Sequence, residues 1–175
     1  IDIRVHPAMI PVKHPMANVN GVLNAIRVCD DMMDENILIG HGAGALPTGS
    51  AVVGDVVEIA RNILSGLGER IPAGSFQNKE VKAIPLKNMS EIESEYFLRF
   101  SVLDKPGVLS KISGILGTHS ISIESMIQRG RAGGGEGVPL VMMCHKSSEK
   151  NIQSALKEIE QLDVVCGKSN LIRVE

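Results

Sequence analysis

Between residues 95 and 175, apolar positions recur with two different periods. Some segments alternate apolar and polar residues, which predicts strands, and others place apolar residues every three or four positions, which predicts helices. The predicted order is strand, helix, strand, strand, helix, strand, which is the βαββαβ order of a ferredoxin-like fold in the α+β class. The segments are, in chain order, YFLRFSV, KPGVLSKISGILG, SISIESMIQ, VPLVMMCH, SSEKNIQSALKEIEQL and LIRV.

Each of the two predicted helices has one apolar face that can cover the sheet. The strand VPLVMMCH is apolar at odd and even positions alike, although helices cover only one side of such a sheet. We therefore expect a partner, or strand pairing across a dimer, to cover part of the other side. Met142 and Met143 are interpreted as packing residues. The helical faces consist of Leu109, Ile112, Ile115 and Leu116 in the first helix and Ile152, Leu156 and Ile159 in the second.

The first part of the chain predicts a different arrangement. IDIRV alternates from the first residue and predicts a half-buried strand, which leads us to expect that an upstream part is missing. VLNAIRVCDD and NILIG predict two more strands, and SAVVGDVVEIARNIL predicts a helix that ends near Gly66 and Gly68. The polar, proline-containing stretch that follows has the composition of a linker with one short edge strand around Ala83–Leu86. The predicted division is therefore 1–67, a linker over 68–94, and a second domain over 95–175.

Composition excludes several classes of function. The 175 residues carry a net charge of −2, one Tyr, three Phe and no Trp, and no basic run, so a nucleic-acid partner is not expected. No apolar run approaches the roughly 18 residues that a membrane span requires. The three cysteines are far apart and lack CxxC spacing, which is typical of reduced thiols. We expect a cytoplasmic protein without membrane or metal sites.

The glycine-rich stretch GHGAGALPTGSAVVGDVV raises the question of phosphate binding. The dinucleotide motif GxGxxG, counted from Gly42, requires glycine where Pro47 stands, and a P-loop requires a lysine that is missing. What remains is a strand, a tight GAG turn and a helix start marked by Pro47 and Thr48. A helix N-terminus offers free N–H groups to an anion. A plain structural turn and a ligand contact both remain open from the residues alone.

VHPAMIPVKHPMANVNGVLNAIRV followed by GHGAGALPTGSAVVGDVVEIAR resembles the C-terminal end of homoserine dehydrogenases. The resemblance implies that residues 1–67 are the tail of the substrate and dimerisation domain. It also implies that Gly42, Ala43 and Gly44 lie against the nicotinamide of NAD(P), and that His14 lies near the substrate cleft. From its spacing alone, His14 is favoured as a structural turn residue ahead of a proline over a metal ligand. The family's nucleotide-binding domain and catalytic lysine are not in this chain, so no catalytic residue is assigned and the chain alone is expected to be inactive.

VLDKPGVLSKISGILGTHSISIESM resembles the amino-acid-sensing ACT domain. Physically, Asp104 can cap a helix that starts near Pro106, and the N–H groups of Gly107 and Val108 can receive a carboxylate. An ordinary capped helix explains the same residues. The resemblance places the other wall of an effector site at the second strand, often in a partner subunit, which here includes Ser122 and Ile123. This sequence has HSISI where many amino-acid-binding members have a Gly and an Asn, at positions 120 and 122.

Together these features predict the C-terminal portion of an NAD(P)-dependent homoserine dehydrogenase, which interconverts aspartate semialdehyde and homoserine. By family analogy its ACT domain forms a homodimer or a higher oligomer and binds threonine as a feedback inhibitor. The alternative is a stand-alone amino-acid-binding regulatory protein, which leaves the motifs of the first 67 residues without a purpose. A third candidate, an independent nucleotide-binding module, is weakened by the two failed phosphate motifs.

Overall fold

The computed structural model describes residues 1–67, 82–128 and 137–175. They form two units, one over Pro11–Ala83 and one that joins Ile1–Ile10 to Ile84–Glu175. The helices and strands are β1 (Ala8–Met9), β2 (Leu23–Asp30), β3 (Asp34–His41), α1 (Ala45–Leu64), β4 (Glu93–Val102), α2 (Val108–Thr118), β5 (Ile123–Gln128), β6 (Val138–Ser148), α3 (Glu149–Ile159) and β7 (Asn170–Val174).

The C-terminal unit confirms the predicted βαββαβ order. Its sheet has the strand order β1-β7-β4-β6-β5, in which β4 lies antiparallel between β6 and β7. Even-numbered residues of β4, from Tyr96 to Val102, are buried because successive side chains of a strand point to opposite faces. They pack with Ile112 and Leu116 of α2 and with Ile152 of α3 in one apolar core.

Helix α2 buries a slightly different face from the one predicted. Val108, Ile112 and Leu116 are buried, whereas Leu109 is 38% exposed. Helix α3 buries Ile152, Leu156 and Ile159 as predicted. Val108, Ile112 and Leu116 are four residues apart and so form one stripe of the helix, and Leu109 lies at the edge of that stripe.

The first ten residues belong with the C-terminal unit, which differs from the predicted domain 1–67. Ile1–Val5 form no strand, so that prediction is wrong. Instead, β1 adds to the sheet as a parallel neighbour of β7. The expected edge strand around Ala83–Leu86 is also absent from the described residues, although the Lys87 N–H donates to the Ile1 carbonyl at 2.7 Å. Residues 68–81 of the predicted linker lie outside the described part of the chain.

The unit Pro11–Ala83 contains the hairpin β2–β3 and helix α1. The hairpin register runs from Leu23 opposite His41 to Asp30 opposite Asp34. Helix α1 confirms the predicted helix and ends at a left-handed Gly66 (φ +63°), but its apolar stripe, including Val56, is exposed. Within the described residues, no helix is long and apolar enough to cross a membrane.

Candidate functional site

The glycine loop is a three-residue connection from β3 into α1. Gly44 is the N-cap residue of α1 and has φ +119°, a backbone conformation that residues with a side chain rarely adopt. The helix starts at Ala45, two residues before Pro47, so proline stands in the first turn, where an N–H has no partner within the helix. The predicted helix start was therefore close, and the left-handed N-cap explains the glycine at position 44.

Gly42 continues the hairpin and lies directly under a side chain from β2. Its N–H donates to the Val22 carbonyl at 3.0 Å, and a Cβ placed on Gly42 would lie 1.4 Å from Nδ2 of Asn24. Any side chain at position 42 must therefore displace the Asn24 amide. Asn24 was missed by sequence reasoning, although it belongs to the motif GVLNA that carries the family resemblance.

A cavity of about 340 Å³ opens beside this loop. Its walls are mainly apolar, and the Asn24 carboxamide makes no hydrogen bond to any residue that the structure describes. A pocket with apolar walls and a few placed polar groups is the usual form of a cofactor site. The residues present therefore fit a nicotinamide ring. The lining residues are Asn24, Ile26, Leu38, Ile39, Gly40, His41 and Gly42.

His14 lies in different surroundings from the glycine loop. It caps a short 3-10 turn, with its Nδ1 accepting from the Met16 N–H at 3.2 Å, and its Nε2 is 3.7 Å from Oε1 of Glu35. Glu35 also accepts from Arg27 Nε at 2.5 Å, and this hydrogen bond holds the pKa of Glu35 below its ordinary value.

The hairpin separates His14 from the loop. Glu35 is at the turn end of β3 and precedes Gly42 by seven residues, which corresponds to about 24 Å of extended strand. Arg27 and Asn24, three positions apart on β2, also point to opposite faces of the hairpin. The structure therefore does not bring His14 together with Gly42, Ala43 and Gly44.

The loop between β4 and α2 differs from the predicted cap. Gly107 is the N-cap residue of α2, with φ +88°, and no side chain caps the helix. The prediction that Asp104 caps α2 is therefore wrong, and no described side chain forms a hydrogen bond or an ion pair with the exposed Asp104 carboxylate. The Val108 N–H donates to the Lys105 carbonyl at 3.4 Å, so it is already engaged in a turn.

The two predicted walls of the effector site lie at opposite ends of the sheet in one chain. Val102, just before the Asp104 loop, is opposite Val138, whereas Ile123 is opposite Cys144. These two register positions are six residues apart along β6, which corresponds to about 20 Å. Ser122, next to Ile123, is exposed at that far end. One chain therefore does not bring Ser122 and Ile123 to the Asp104 loop.

The end of α2 explains the glycine that many ACT domains have at position 120. Ser120 is in the left-handed conformation (φ +59°), and its N–H donates to the Gly117 carbonyl at 2.9 Å. The Ile121 N–H donates to the Leu116 carbonyl at 2.9 Å. These two bonds form a Schellman motif, in which glycine is the preferred left-handed residue. The difference between Ser120 and the glycine of many ACT domains therefore affects how helix α2 ends.

Both parts of the chain match known families. Residues 1–57 match the family model of homoserine dehydrogenase, and residues 96–164 match that of the ACT domain. A homoserine dehydrogenase from Neisseria gonorrhoeae is 43% identical over 175 residues, covering 100% of this chain and 40% of that protein. One from Pseudomonas aeruginosa is 37% identical, covering 99% of this chain and 40% of that protein. The chain thus spans about 40% of the length of these curated relatives.

Solved structures agree with this match. The structure of a homoserine dehydrogenase from Thiobacillus denitrificans superposes with a TM-score of 0.85 at 37% identity, covering 99% of this chain and 39% of that one. A homoserine dehydrogenase from S. aureus, at 23% identity and a TM-score of 0.53, supports the fold alone.

Proposed function

We propose that this chain works as the C-terminal part of an NAD(P)-dependent homoserine dehydrogenase, because it corresponds in sequence to the C-terminal portion of these enzymes and ends in an ACT domain. The reaction interconverts aspartate semialdehyde and homoserine. The observation that carries the proposal is the glycine loop that leads into α1, with Gly44 at a positive φ and Gly42 in the wall of an apolar cavity that also bears the Asn24 carboxamide.

The chain's own residues form one wall of the cofactor site. NAD(P), when bound, supplies the hydride acceptor or donor. Gly42, Ala43 and Gly44 would lie against the nicotinamide. Gly44 carries no side chain, and at Gly42 the Asn24 amide takes the place that a side chain would occupy. Ile26 and Leu38 present apolar surface that excludes water. No catalytic residue is assigned to this chain, and we expect it to be inactive by itself.

The test compares two forms of the protein. The complete reading frame that contains this chain should reduce NAD(P) when homoserine is added, and the 175-residue chain alone should not. Absence of homoserine-dependent reduction by the complete protein would contradict the proposal. The substrate role of His14 stays a prediction, which a His14→Gln variant tests through the KM for homoserine.

The ACT domain is proposed to bind an amino acid, by family analogy threonine, as a feedback inhibitor. The Asp104 loop with Gly107 and Val108 of one protomer would form one wall, and Ser122 and Ile123 of a second protomer the other. The separation of these walls within one chain supports a site shared between protomers. An effector that binds one arrangement of the dimer more tightly shifts the equilibrium between arrangements, typically by about 1–3 kcal/mol.

The outer face of the ACT sheet supports a homodimer. Phe97 lies between Met143 and Ile172 in register, and Val141 is opposite Ile127. These residues form an apolar patch on the side of the sheet away from the core, and most are half-buried. We expect Phe97→Glu to shift this chain from dimer to monomer in size-exclusion chromatography with light scattering. A wild-type chain that is monomeric at high concentration would contradict dimerisation through this face.

Threonine binding is tested by melting temperature and calorimetry. Threonine should raise the melting temperature, and Asp104→Ala should abolish the rise, while Asp163→Ala, which removes an exposed carboxylate paired with Lys111, should keep it. No heat with threonine or any other amino acid would remove the sensing proposal. Threonine binding by a complete protein without dehydrogenase activity would favour the alternative, a stand-alone regulatory protein.

A further inference from the structure

We infer that Asn24 is a specificity-determining residue of this cofactor site, and that its carboxamide pairs with the carboxamide of the nicotinamide ring. The inference rests on the proposed function and assigns a role to a residue outside the Gly42–Gly44 loop. It follows from the position of Asn24, from its unused hydrogen-bonding groups and from the cavity that it lines.

The hairpin holds Asn24 at the mouth of the cavity. Asn24 is opposite Gly40 in the β2–β3 register, so no side chain from β3 faces it. A Cβ on Gly40 would meet nothing within 4 Å, which shows open space above that position. The Asn24 amide itself covers Gly42, with Nδ2 occupying the place that a side chain would take there. The carboxamide therefore lies over Gly42, beside the predicted cofactor loop, with open space above Gly40.

The hydrogen-bonding groups of Asn24 are available to a ligand. A side-chain amide has two N–H donors and one carbonyl acceptor. Among the residues that the structure describes, none bonds to the amide of Asn24, and its side chain is exposed. On its own face of the hairpin, the neighbouring walls Ile26 and Leu38 are apolar, and the other polar side chain of the lining, His41, belongs to the opposite face.

The nicotinamide ring carries the matching chemistry. Its carboxamide also has donors and an acceptor, so two carboxamides can exchange hydrogen bonds while the ring lies on the apolar wall. A site that hydrogen-bonds a ligand group discriminates against analogues that lack it, because its polar partner is then left unpaired. Asn24 therefore recognises the amide nitrogen of the nicotinamide, whether the rest of the enzyme selects NAD or NADP.

The test measures cofactor binding directly in the complete protein that contains this chain, by titrating NAD(P)H fluorescence. Asn24→Ala should raise the Kd for NAD(P)H about tenfold, the equivalent of one net hydrogen bond. Asn36→Ala is the matched control, because Asn36 lies on the same hairpin face but outside the cavity, and its Kd should be unchanged. Asn24→Asp preserves the size of the side chain and provides a second variant if Asn24→Ala does not fold.

A cofactor analogue distinguishes hydrogen bonding between the two carboxamides from a general packing role of the Asn24 side chain. In the reduced 3-acetylpyridine analogue of NAD(P), a methyl group replaces the amide nitrogen. The penalty of Asn24→Ala should be clearly smaller with this analogue than with NAD(P)H. An equal penalty with both cofactors overturns the pairing, and an unchanged Kd for NAD(P)H in a folded Asn24 variant overturns the role of Asn24 altogether.

The outcomes also distinguish this inference from the proposed function. A complete protein that oxidises homoserine while its Asn24 variants bind NAD(P)H normally overturns only the inference. A complete protein that neither binds NAD(P)H nor oxidises homoserine overturns both.

Discussion

Arg173 of β7 and Glu149 of α3 form a two-point ion pair inside the ACT domain. Nε of Arg173 donates to Oε2 of Glu149 at 2.9 Å, and Nη2 donates to Oε1 at 2.6 Å. The two side chains are only 13% and 7% exposed. The Tyr96 hydroxyl and the Gln153 amide also donate to the same carboxylate, at 3.0 and 2.9 Å. This network joins α3 to β4 and β7, and burial together with the Glu149 carboxylate raises the pKa of Tyr96.

Breaking this pair should destabilise the ACT domain. Glu149→Gln removes the negative charge and leaves the nearly buried guanidinium of Arg173 without its counterion, so we expect a loss of about 3 kcal/mol in the free energy of unfolding. Urea unfolding followed by tyrosine fluorescence measures this, because Tyr96 is the chain's one tyrosine and lies fully buried in this unit.

Glu158→Gln is the matched control for Glu149→Gln. Glu158 lies on the same helix and contacts His119 at 2.9 Å, but its side chain is 54% exposed, so its removal should cost less than about 1 kcal/mol. Equal losses in the two variants would show that burial of the pair is unimportant.

The same pair should make stability depend on acid pH. Burial disfavours ionisation of Glu149, but hydrogen bonds from Arg173, Gln153 and Tyr96 outweigh it and hold its pKa below the ordinary value. A carboxyl with a lowered pKa contributes stability above its unfolded pKa of about 4.3, and that stability is lost as the pH falls through the folded value. The stability difference between wild type and Glu149→Gln should therefore shrink below about pH 4. A difference that stays constant from pH 7 to pH 3 would contradict this linkage.

Ser120→Gly should stabilise the ACT domain by about 1 kcal/mol, because Ser120 occupies a left-handed position that is costly for any residue with a Cβ. Urea unfolding of the two chains provides the measurement. Ser122→Gly, two residues later at the entry to β5, has no such conformation to relieve and should be neutral or destabilising. A destabilised Ser120→Gly chain would mean that the serine side chain contributes more to stability than its left-handed backbone conformation costs.

Two of the three thiols should react with a thiol reagent, and the third should be protected. Cys29 and Cys166 are exposed, whereas Cys144 is buried in the sheet, and burial raises the pKa of its thiol to about 11. Since the thiolate is the reactive form, Ellman's reagent at about pH 8 should modify two thiols promptly and the third only as the protein unfolds. The double variant Cys29→Ser/Cys166→Ser should show no prompt reaction, and a fast third thiol would contradict the burial of Cys144.

Alanine substitutions at two glycines of the α1 region should have opposite effects on the stability of this helix. Gly44→Ala forces a side chain into φ +119° and close to Pro47, so we expect weaker NAD(P)H binding and a less stable α1 in the complete protein. Gly49→Ala, inside the same helix with open space around it, should leave the Kd unchanged and stabilise the helix by about 0.5–1 kcal/mol. Normal cofactor affinity in a folded Gly44→Ala protein would count against the loop as a cofactor wall.

Local patterns predicted most of the elements because they are set by residues close in sequence. The alternation of YFLRFSV and the spacing of Ile152, Leu156 and Ile159 required no knowledge of their neighbours, and both elements formed as predicted. Gly66 ended α1 in the left-handed conformation, as the SGLG sequence indicates. The glycine loop was located in the same way, because its glycines are close in sequence, whereas its cofactor role came from the resemblance to homoserine dehydrogenases and stays a prediction.

The errors came from residues whose partners are distant in sequence. Ile1–Val5 alternate like a strand, but a strand also requires a neighbour, and the chain pairs Ala8–Met9 with β7 instead. Asp104 is a good capping residue, yet the chain reaches α2 through a left-handed Gly107 that takes the N-cap position.

By itself, the sequence determined the βαββαβ order, the long helix α1 and the glycine loop, since hydrophobic period and glycine conformation are local properties. Only the tertiary structure decided that Asn24 covers Gly42, that Glu149 and Arg173 meet inside the ACT domain, and that Ala8–Met9 join its sheet. The physical reason is that strand register and long-range packing bring together residues whose spacing in the chain carries no signal of their contact.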